Sequence, residues 1–320
     1  MKAAVLHELG KAPRFEEFAE PTPGDEEALV TVSAAALKSV DKQLAAGSHY
    51  ASPRELPVTC GTDGLGVLED GTRVFFGGPR RPYGAMAERT VAPRAFCFSV
   101  PAALDDATAA ALPNPGVSAW LTLTQRANLH PGETALILGA TGVTGQLAVQ
   151  IAKLLGAKCV IGAGRNEQLL KRLREIAADS TIQLGQPEDS LKTAFAQEAG
   201  VAGFDVVIDY VWGRPTEVLL AAIAKSEFAV ATKPTRLVQV GESAGPTISL
   251  PAAVLRSTPL VILGTAGIPS REVLADAMQQ ILTRAARREL RIETERVPLS
   301  DIEGVWQRAD QSGRRIVVIP

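Results

Sequence analysis

The residues most suggestive of chemistry form a glycine-rich segment near the middle of the chain. It reads Gly139-Ala140-Thr141-Gly142-Val143-Thr144-Gly145, between a predicted strand at 133–138 and a predicted helix at 143–155. Small residues allow a tight turn, after which the first amide groups and the positive end of the helix dipole face outward. A turn without a ligand could use the same residues, but the strand–turn–helix context favours a site for the pyrophosphate of a dinucleotide. Ala140 departs from the G-x-G-x-x-G consensus by only a methyl group.

The residues after the next predicted strand indicate which dinucleotide the turn would hold. An NAD site places an acidic residue about twenty positions further on, where it bonds the ribose 2′-hydroxyl. No acidic residue lies between Gln146 and Asn166, and the strand predicted at 158–163 is followed by Gly164-Arg165-Asn166. A guanidinium can bind a 2′-phosphate through two hydrogen bonds. The pattern favours NADPH, and the alternative is that Arg165 only starts a helix in water.

Strands and helices alternate along the second half of the chain. Strands are predicted at 133–138, 158–163, 181–184, 204–210, 235–240 and 260–265, and helices at 143–155, 167–177, 190–199 and 214–225. Elements of these lengths in this order form parallel βαβ units in an open sheet with helices on both faces. This part of the chain is therefore predicted to be a doubly wound parallel sheet.

The first hundred residues consist of short predicted strands separated by turns. Strands are predicted at 28–34 and 71–76, and turns that contain proline and glycine at 21–25 and 76–79. The C-terminal part has the order helix 271–288, strand 291–296, a short helix and strand 315–319. Because a β-rich lobe needs strand partners, we predict that this C-terminal tail packs onto the N-terminal lobe.

Composition argues against several other classes of protein. The 33 basic and 35 acidic residues give a net charge of -2, which offers no support for nucleic-acid binding. The longest apolar stretches are strand-sized, so no membrane span is expected, and the N-terminus lacks a signal peptide, so the cytoplasm is expected. Cys60, Cys97 and Cys159 are far apart, so we predict neither disulfides nor a zinc-binding CxxC motif.

Seven segments carry a resemblance to a known family. They are MKAAVLHE at 1–8, AAALKSVD at 34–41, CGTDGLG at 60–66, DGTRV at 70–74, GAMAE at 84–88, LHPGE at 129–133 and FDVVID at 204–209. In this order around the glycine-rich turn, the chain resembles the medium-chain dehydrogenase/reductase superfamily over nearly its full length. Within that superfamily it is most similar to the zinc-independent quinone oxidoreductase branch.

The resemblance implies an α/β protein with a doubly wound parallel-sheet (Rossmann) domain and a β-rich GroES-like catalytic domain. The expected nucleotide-binding domain is 116–266, and the expected catalytic domain is 1–115 together with 267–320. We also expect a homodimer. The apolar strand at 260–264 should lie at an open edge of the sheet, where a second copy would cover it.

Zinc-dependent members of the superfamily bind the metal through cysteine and histidine, and this chain has other residue types at those positions. The first zinc-binding cysteine would fall near Lys38 and the histidine near Thr62, and neither residue can serve as a zinc ligand at neutral pH. The cysteine-rich loop of a structural zinc site would fall between Val74 and Gly84, where the chain has no cysteine. The sequence predicts no metal site.

Without a Lewis acid, a simple ketone is difficult to reduce, whereas a quinone or an α,β-unsaturated carbonyl (an enone) spreads the incoming charge. The resemblance therefore implies NADPH-dependent hydride transfer to a quinone or an enone, with hydrogen-bond donors at the developing oxyanion. The candidate donors, expected to line a cleft between the domains, are Lys38, Tyr50 and Asn114. As alternatives, Lys38 is an exposed lysine at a strand end, and Tyr50 is a packing residue.

Further cofactor contacts are implied by the resemblance alone. Val240-Gly241 and Gly264-Thr265, at the ends of late strands, would hold the nicotinamide end, and Arg314 would reach the pyrophosphate. Two other functions stay open at this point. One is reduction of a bulky acyl-thioester enone, and the other is NADPH binding without turnover in a redox sensor or a structural protein.

Overall fold

The computed structural model describes residues 1–224, 233–267, 269–308 and 313–320. The chain divides into two compact units. Unit 1 comprises Met1–Asn114 and Glu272–Pro320, and unit 2 comprises Pro115–Arg271. The chain returns from unit 2 to unit 1 after Arg271, a few residues later than the expected boundary between 266 and 267. The chain before this return is bonded to unit 2, where the Arg126 guanidinium donates to the carbonyl of Ala266.

The helices and strands follow one another in three groups. The N-terminal group is β1 (Lys2–Leu6), β2 (Arg14–Glu17), β3 (Glu27–Ala36), α1 (Ser39–Ala46), β4 (Val58–Thr59), β5 (Asp63–Leu68), β6 (Arg73–Gly77), β7 (Arg89–Pro93), β8 (Cys97–Ser99) and α2 (Asp106–Ala111). The middle group is α3 (Pro113–Leu121), a π-helix (Thr122–Arg126), β9 (Thr134–Leu138), α4 (Val143–Leu154), β10 (Cys159–Gly164), α5 (Glu167–Ile176), β11 (Ser180–Gln183), α6 (Glu188–Ala199), β12 (Val206–Asp209), α7 (Gly213–Ile223), β13 (Thr235–Gln239), α8 (Ala252–Ser257) and β14 (Leu260–Leu263). The C-terminal group is α9 (Arg271–Ala286), β15 (Glu293–Pro298), α10 (Ile302–Gln307) and β16 (Arg314–Ile319).

Unit 1 is built around β3. This strand pairs antiparallel with β5 and with β7, and the sheet has the order β15-β16-β3-β5-β6-β8. A separate small sheet has the order β2-β1-β4. The C-terminal strand β16 pairs antiparallel with the end of β3, so that Val317 lies opposite Ala36. The tail therefore supplies a strand to the N-terminal lobe, as the sequence predicts.

Unit 2 contains a parallel sheet with the strand order β11-β10-β9-β12-β13-β14. Its strands are continuous apolar runs with buried side chains such as Leu136, Ile161 and Val207, which is typical of strands covered on both faces. The predicted doubly wound fold is confirmed. From β9 the chain proceeds to β10 and β11 on one side and later to β12 on the other side. The carboxyl ends of β9 and β12 therefore form the topological switch point, where open α/β sheets bind ligands.

The predicted elements of unit 2 are present with small differences at their ends. Strand β12 is shorter than the stretch predicted at 204–210, and α6 begins two residues earlier than predicted. Helix α7 ends at Ile223, and Lys225, where its end was predicted, lies outside the described residues. In the described part of the chain, no helix is both long and apolar enough to cross a membrane.

Candidate functional site

The glycine-rich turn joins β9 to α4 and is bonded to β10. Gly139 has a φ of +81°, a left-handed conformation that favours glycine. Its amide and that of Ala140 both donate to the carbonyl of Ala163, at 2.9 and 2.8 Å. Gly142 is the N-cap of α4, with an extended backbone and no side chain to bond the first amides of the helix. The turn thus directs the start of α4 toward the carboxyl edge of the sheet.

Gly145 allows α4 to pack directly on the turn. A Cβ at this position would lie 2.2 Å from the Gly139 carbonyl oxygen and 2.7 Å from the Ala140 Cα, so a larger residue would push the helix away. The amides of Val143 and Thr144, in the first turn of α4, have no acceptor within the helix. A helix start that is open in this way binds phosphate. The residues present fit a dinucleotide pyrophosphate.

The end of β10 lies against the turn. A Cβ on Gly164 would be 2.4 Å from the side chain of Thr141, so the two segments are in close contact. Asn166 caps α5, because its side chain accepts from the amide of Leu169 at 3.1 Å. Arg165 between them is exposed. The sequence-predicted residues of the turn and of the second strand end are therefore brought together, with an exposed guanidinium beside them.

Asp209 organises the other side of the switch point. It is buried at the end of β12, and its Oδ1 accepts from the amides of Val211 and Trp212, both at 2.8 Å. Its Oδ2 accepts from the Thr216 hydroxyl at 2.5 Å. Burial raises the pKa of Asp209, against these hydrogen bonds, which lower it. The carboxyl group therefore holds the loop after β12. This loop lies close to the glycine-rich turn, because a Cβ built on Gly139 would be 3.0 Å from the side chain of Val211.

The predicted nicotinamide contacts lie at the same edge of the sheet. The amides of Val240 and Gly241 both donate to the carbonyl of Asp209, at 2.8 and 3.1 Å, so the end of β13 is tied to the end of β12. Gly264 and Thr265 follow β14 and are exposed. The structure thus groups Val240 and Gly241 with the loop after β12. The cofactor contacts of all four residues stay predictions.

Lys38 is buried at the junction of β3 and α1. Its side chain is 3% exposed, and its ammonium donates to Ala36 O at 2.9 Å and to Asp63 Oδ1 at 3.0 Å. Asp41 Oδ2 lies 3.2 Å from the same nitrogen. Burial lowers the pKa of Lys38, but the two carboxylates outweigh it and the pKa is raised. The ammonium is therefore held charged inside unit 1.

This geometry favours a structural role for Lys38 over the direct substrate contact that the sequence predicts. An ammonium has three N–H donors, and Lys38 has three acceptors within unit 1. Its ammonium is thus occupied by partners inside unit 1, and it is not the exposed strand-end lysine of the alternative interpretation. The cause is the antiparallel pairing of β3 with β5, which brings the end of β3 beside Asp63 at the start of β5.

The other two candidate donors have different surroundings. Asn114, in the first turn of α3, is exposed, and its Nδ2 donates to Asp63 Oδ2 at 3.0 Å. Tyr50 is 98% exposed, and its ring contacts the ring of His49 with 4.2 Å between centroids. It is not a packing residue within unit 1. The structure joins Lys38 and Asn114 through Asp63 and leaves Tyr50 apart from them.

Two neighbouring arginines at the start of β16 differ in their surroundings. Arg314, the predicted cofactor residue, is exposed and lies opposite Glu293 of β15. Arg315 is buried and donates to the carbonyl of Leu37 at 3.1 Å. Successive residues of a strand face opposite sides of the sheet. It is therefore Arg315 that lies near the group of Lys38, Asp41 and Asp63, which we call the Lys38 cluster. The cofactor contact of Arg314 stays a prediction.

Sequence reasoning did not select Asp63 or Asp209 as functional residues. Both lie within segments that carry the family resemblance, Asp63 in CGTDGLG and Asp209 at the end of FDVVID. Asp63 begins β5 and Asp209 ends β12. One available signal was thus an acidic residue at the end of an apolar strand, because a carboxylate that is buried needs partners. The identity of those partners depends on strand pairing.

The residues at the superfamily's zinc positions do not fit zinc. Position 38 holds an ammonium that is bonded to two carboxylates, and position 62 holds a threonine. Zinc sites of proteins use thiolate, neutral imidazole or carboxylate ligands, and a fixed cation would repel the ion. Within residues 1–224, 233–267, 269–308 and 313–320, no group of three His, Cys, Asp or Glu side chains is arranged to hold a metal.

Comparisons with known proteins agree with this architecture. A family model described as zinc-binding dehydrogenase matches residues 143–283, a stretch that excludes positions 38 and 62. A quinone oxidoreductase-like protein 2 homolog of Nematostella vectensis is 30% identical over 264 residues, which cover 79% of this chain and 69% of the relative. A probable NADPH-dependent quinone reductase of Emericella nidulans is 30% identical over 229 residues, which cover 68% of this chain and 62% of that protein.

A solved structure matches the whole chain. The quinone oxidoreductase of Thermus thermophilus, whose crystal structures include a complex with NADPH, is 26% identical, and the match covers 100% of both chains with a TM-score of 0.81. The fold, the glycine-rich turn and the sequence relatives lead to one assignment. The chain belongs to the quinone oxidoreductase-like family of the medium-chain dehydrogenase/reductase superfamily.

Proposed function

We propose that this chain is an NADPH-dependent oxidoreductase that reduces quinones. The observation that carries the proposal is the turn at Gly139–Gly145, where Gly145 lets α4 pack directly on the turn and the helix begins at the switch point. Relatives of the chain include a probable NADPH-dependent quinone reductase. The similar Thermus thermophilus enzyme has been crystallised with NADPH.

The preference for NADPH over NADH is proposed to rest on Arg165. This residue is exposed, directly after β10 and beside the turn. A guanidinium there can bond a 2′-phosphate in a bidentate way. The chain has no acidic residue between Gln146 and Asn166 that could bond the ribose 2′-hydroxyl of NADH instead. Gly164, Arg165 and Asn166 thus form the proposed adenosine end of the cofactor site.

NADPH, when bound, supplies the hydride. The part of this chain is to orient the cofactor and to stabilise the negative charge that develops on the acceptor oxygen. Asn114 is the proposed donor, because its exposed amide keeps one N–H that Asp63 does not use. A quinone or an enone suits such a site, since both acceptors spread the charge and need no strong Lewis acid.

Metal independence is part of the proposal. It is supported by the chemistry at position 38, where an ammonium neutralised by Asp41 and Asp63 replaces a ligand. A homodimer is also proposed, and its support is the position of β14 at the end of the sheet order. Val261 and Ile262 of this strand are each 39% exposed, and a second copy would cover them.

The test is oxidation of NADPH in the presence of a panel of simple quinones and enones, with protein dialysed against a chelator. We expect turnover with quinones, no stoichiometric zinc by elemental analysis and no loss of activity after dialysis. NADPH binding without turnover on any acceptor would favour a redox sensor or a structural protein. Turnover confined to acyl-thioester enones would favour the second enzymatic alternative. One activity-essential zinc per chain would contradict metal independence.

A further inference from the structure

We propose that Asp63 is a positioning residue that orients the Asn114 amide toward the acceptor oxygen, while Lys38 neutralises the carboxylate behind it. The inference rests on the proposed quinone reduction. It replaces the direct role first expected for Lys38 by an indirect one, through a chain of contacts within unit 1.

The carboxylate of Asp63 is shared between a cation and a neutral donor. Its Oδ1 accepts from Lys38 Nζ at 3.0 Å, and its Oδ2 accepts from Asn114 Nδ2 at 3.0 Å. The Thr62 hydroxyl also donates to Oδ2, at 3.3 Å. Because an ionised carboxylate only accepts hydrogen bonds, it selects the NH2 end of the Asn114 amide. The amide is therefore fixed in one of its two orientations.

Asp63 uses one N–H of this amide and leaves the second N–H for another acceptor. Asn114 is exposed, whereas Asp63 is buried. The second N–H of Asn114 is thus the end of a chain that runs from a buried ammonium to an accessible donor. A donor whose orientation is set before the reaction stabilises a developing charge without the cost of reorienting.

Lys38 compensates the negative charge of the Asp63 carboxylate behind the Asn114 donor. An uncompensated negative charge behind the donor would repel a developing phenolate, and the repulsion would be strong in a buried setting. The charged groups that act on Asp63 are Lys38 and Asp41. Arg315, whose guanidinium bonds the carbonyl of Leu37, acts on Lys38. Lys38 thus places a positive charge directly against the carboxylate that bonds Asn114. The buried thiol of Cys60, the other titratable neighbour of Asp41, has a raised pKa because of its burial.

Asp41 provides a matched control, because it shares Lys38 but has different partners. Its Oδ2 accepts from the Lys38 amide at 2.9 Å, which caps α1, and its Oδ1 accepts from the Thr62 amide at 3.1 Å. None of the contacts given by the described residues joins Asp41 to Asn114. Asp41→Asn and Asp63→Asn therefore remove the same charge from the same cluster, and only the second changes the partner of Asn114.

The decisive experiment compares these two variants in quinone turnover, NADPH affinity and thermal melting. In Asp63→Asn the carbonyl oxygen should stay with the Lys38 ammonium, so that the new NH2 group faces the NH2 group of Asn114 and displaces it. We expect kcat to fall about tenfold or more, with NADPH affinity unchanged. Asp41→Asn should melt at a similarly lowered temperature and keep a kcat close to wild type. Equal kcat values for the two variants would overturn the inference.

A double-mutant cycle separates positioning from a structural effect. Asn114→Ala should lower kcat by roughly 10²–10³, and Asp63→Asn should cost nothing further in that background, because coupled residues are not additive. Losses that multiply would show that Asp63 does not act through Asn114. Such a result would reject the inference.

A measurement on the wild-type protein does not depend on the variants folding or on turnover. With asparagine selectively labelled for NMR, one Nδ2 proton of Asn114 should exchange slowly with solvent, and its signal should shift when Asp63 is protonated in acid. Rapid exchange of both protons would contradict the orientation. Absence of quinone turnover in wild type would instead defeat the proposed function, and the NMR result would stand separately.

Discussion

At the scale of single residues, removal of the Lys38 ammonium should lower the stability of unit 1. Lys38→Met leaves Asp41 and Asp63 buried without their shared cation. Breaking a buried ion pair by removing one partner costs about 3–5 kcal/mol, and we expect a loss of this size in the free energy of unfolding. Chemical denaturation of Lys38→Met measures this loss. The control is Lys11→Met, which removes an exposed ammonium. A variant as stable as Lys11→Met would show that the cluster contributes little.

The cost of Lys38→Met should also depend on pH. Burial raises the pKa of Asp63, and Lys38 lowers it, so without the ammonium the pKa rises further. A carboxyl group whose pKa is higher in the folded state loses folding stability as the pH rises from the unfolded pKa through the folded one. The melting temperatures of wild type and variant should therefore be closest in acid and diverge toward neutral pH. A constant difference across this range would rule out Asp63 as the cause.

A second residue-scale prediction concerns Arg165 and the choice of cofactor. Arg165→Ala removes the guanidinium proposed to bond the 2′-phosphate. Since hydrogen bonds to charged groups contribute about 1.5–3 kcal/mol, affinity for NADPH should fall about tenfold or more, whereas affinity for NADH should stay the same. Arg174→Ala, at the other end of α5, changes the net charge equally and serves as the control. Equal losses for both cofactors would move the 2′-phosphate site elsewhere.

At the scale of elements, the function proposed here depends on how closely α4 approaches the turn. In Gly145→Ala the new Cβ would meet the backbone of Gly139 at 2.2 Å, and backbone cannot move aside as a flexible side chain can. Overpacking of this kind costs about 1–3 kcal/mol. We expect a lower melting temperature and weaker NADPH binding, measured by fluorescence titration. Gly304→Ala in α10 meets no atom within 4 Å and should preserve both.

At the scale of the whole molecule, the apolar edge strand β14 predicts a dimer. An exposed apolar edge favours association through its unpaired backbone groups. Light scattering at micromolar concentration should give twice the chain mass of 33.7 kDa. Ile262→Lys, on the edge, should shift the mass toward the monomer, whereas Val201→Lys, 97% exposed after α6, should not. A wild-type monomer at this concentration would reject the proposed dimer.

The sequence by itself determined the features of this protein that depend on local patterns. The turn at Gly139–Gly145 needs only small residues between an apolar strand and an apolar helix, and the doubly wound sheet follows from the alternation of such elements. The order of family segments was sufficient to identify the family. The turn with its flanking strand and helix lies within about thirty residues, where neighbouring residues determine the conformation, and each family segment is itself a short local pattern.

The tertiary structure alone decided the surroundings of Lys38. Whether a lysine at a strand end is exposed or buried depends on which distant strands pair with that end, and here β5 brings Asp63 while β16 brings Arg315. The register of β16 also decided that Arg315, and not Arg314, faces the cluster, since a shift by one residue reverses every side chain of a strand. Pairing and register are set by packing over the whole unit, and residues 38, 63 and 315 do not reveal them separately.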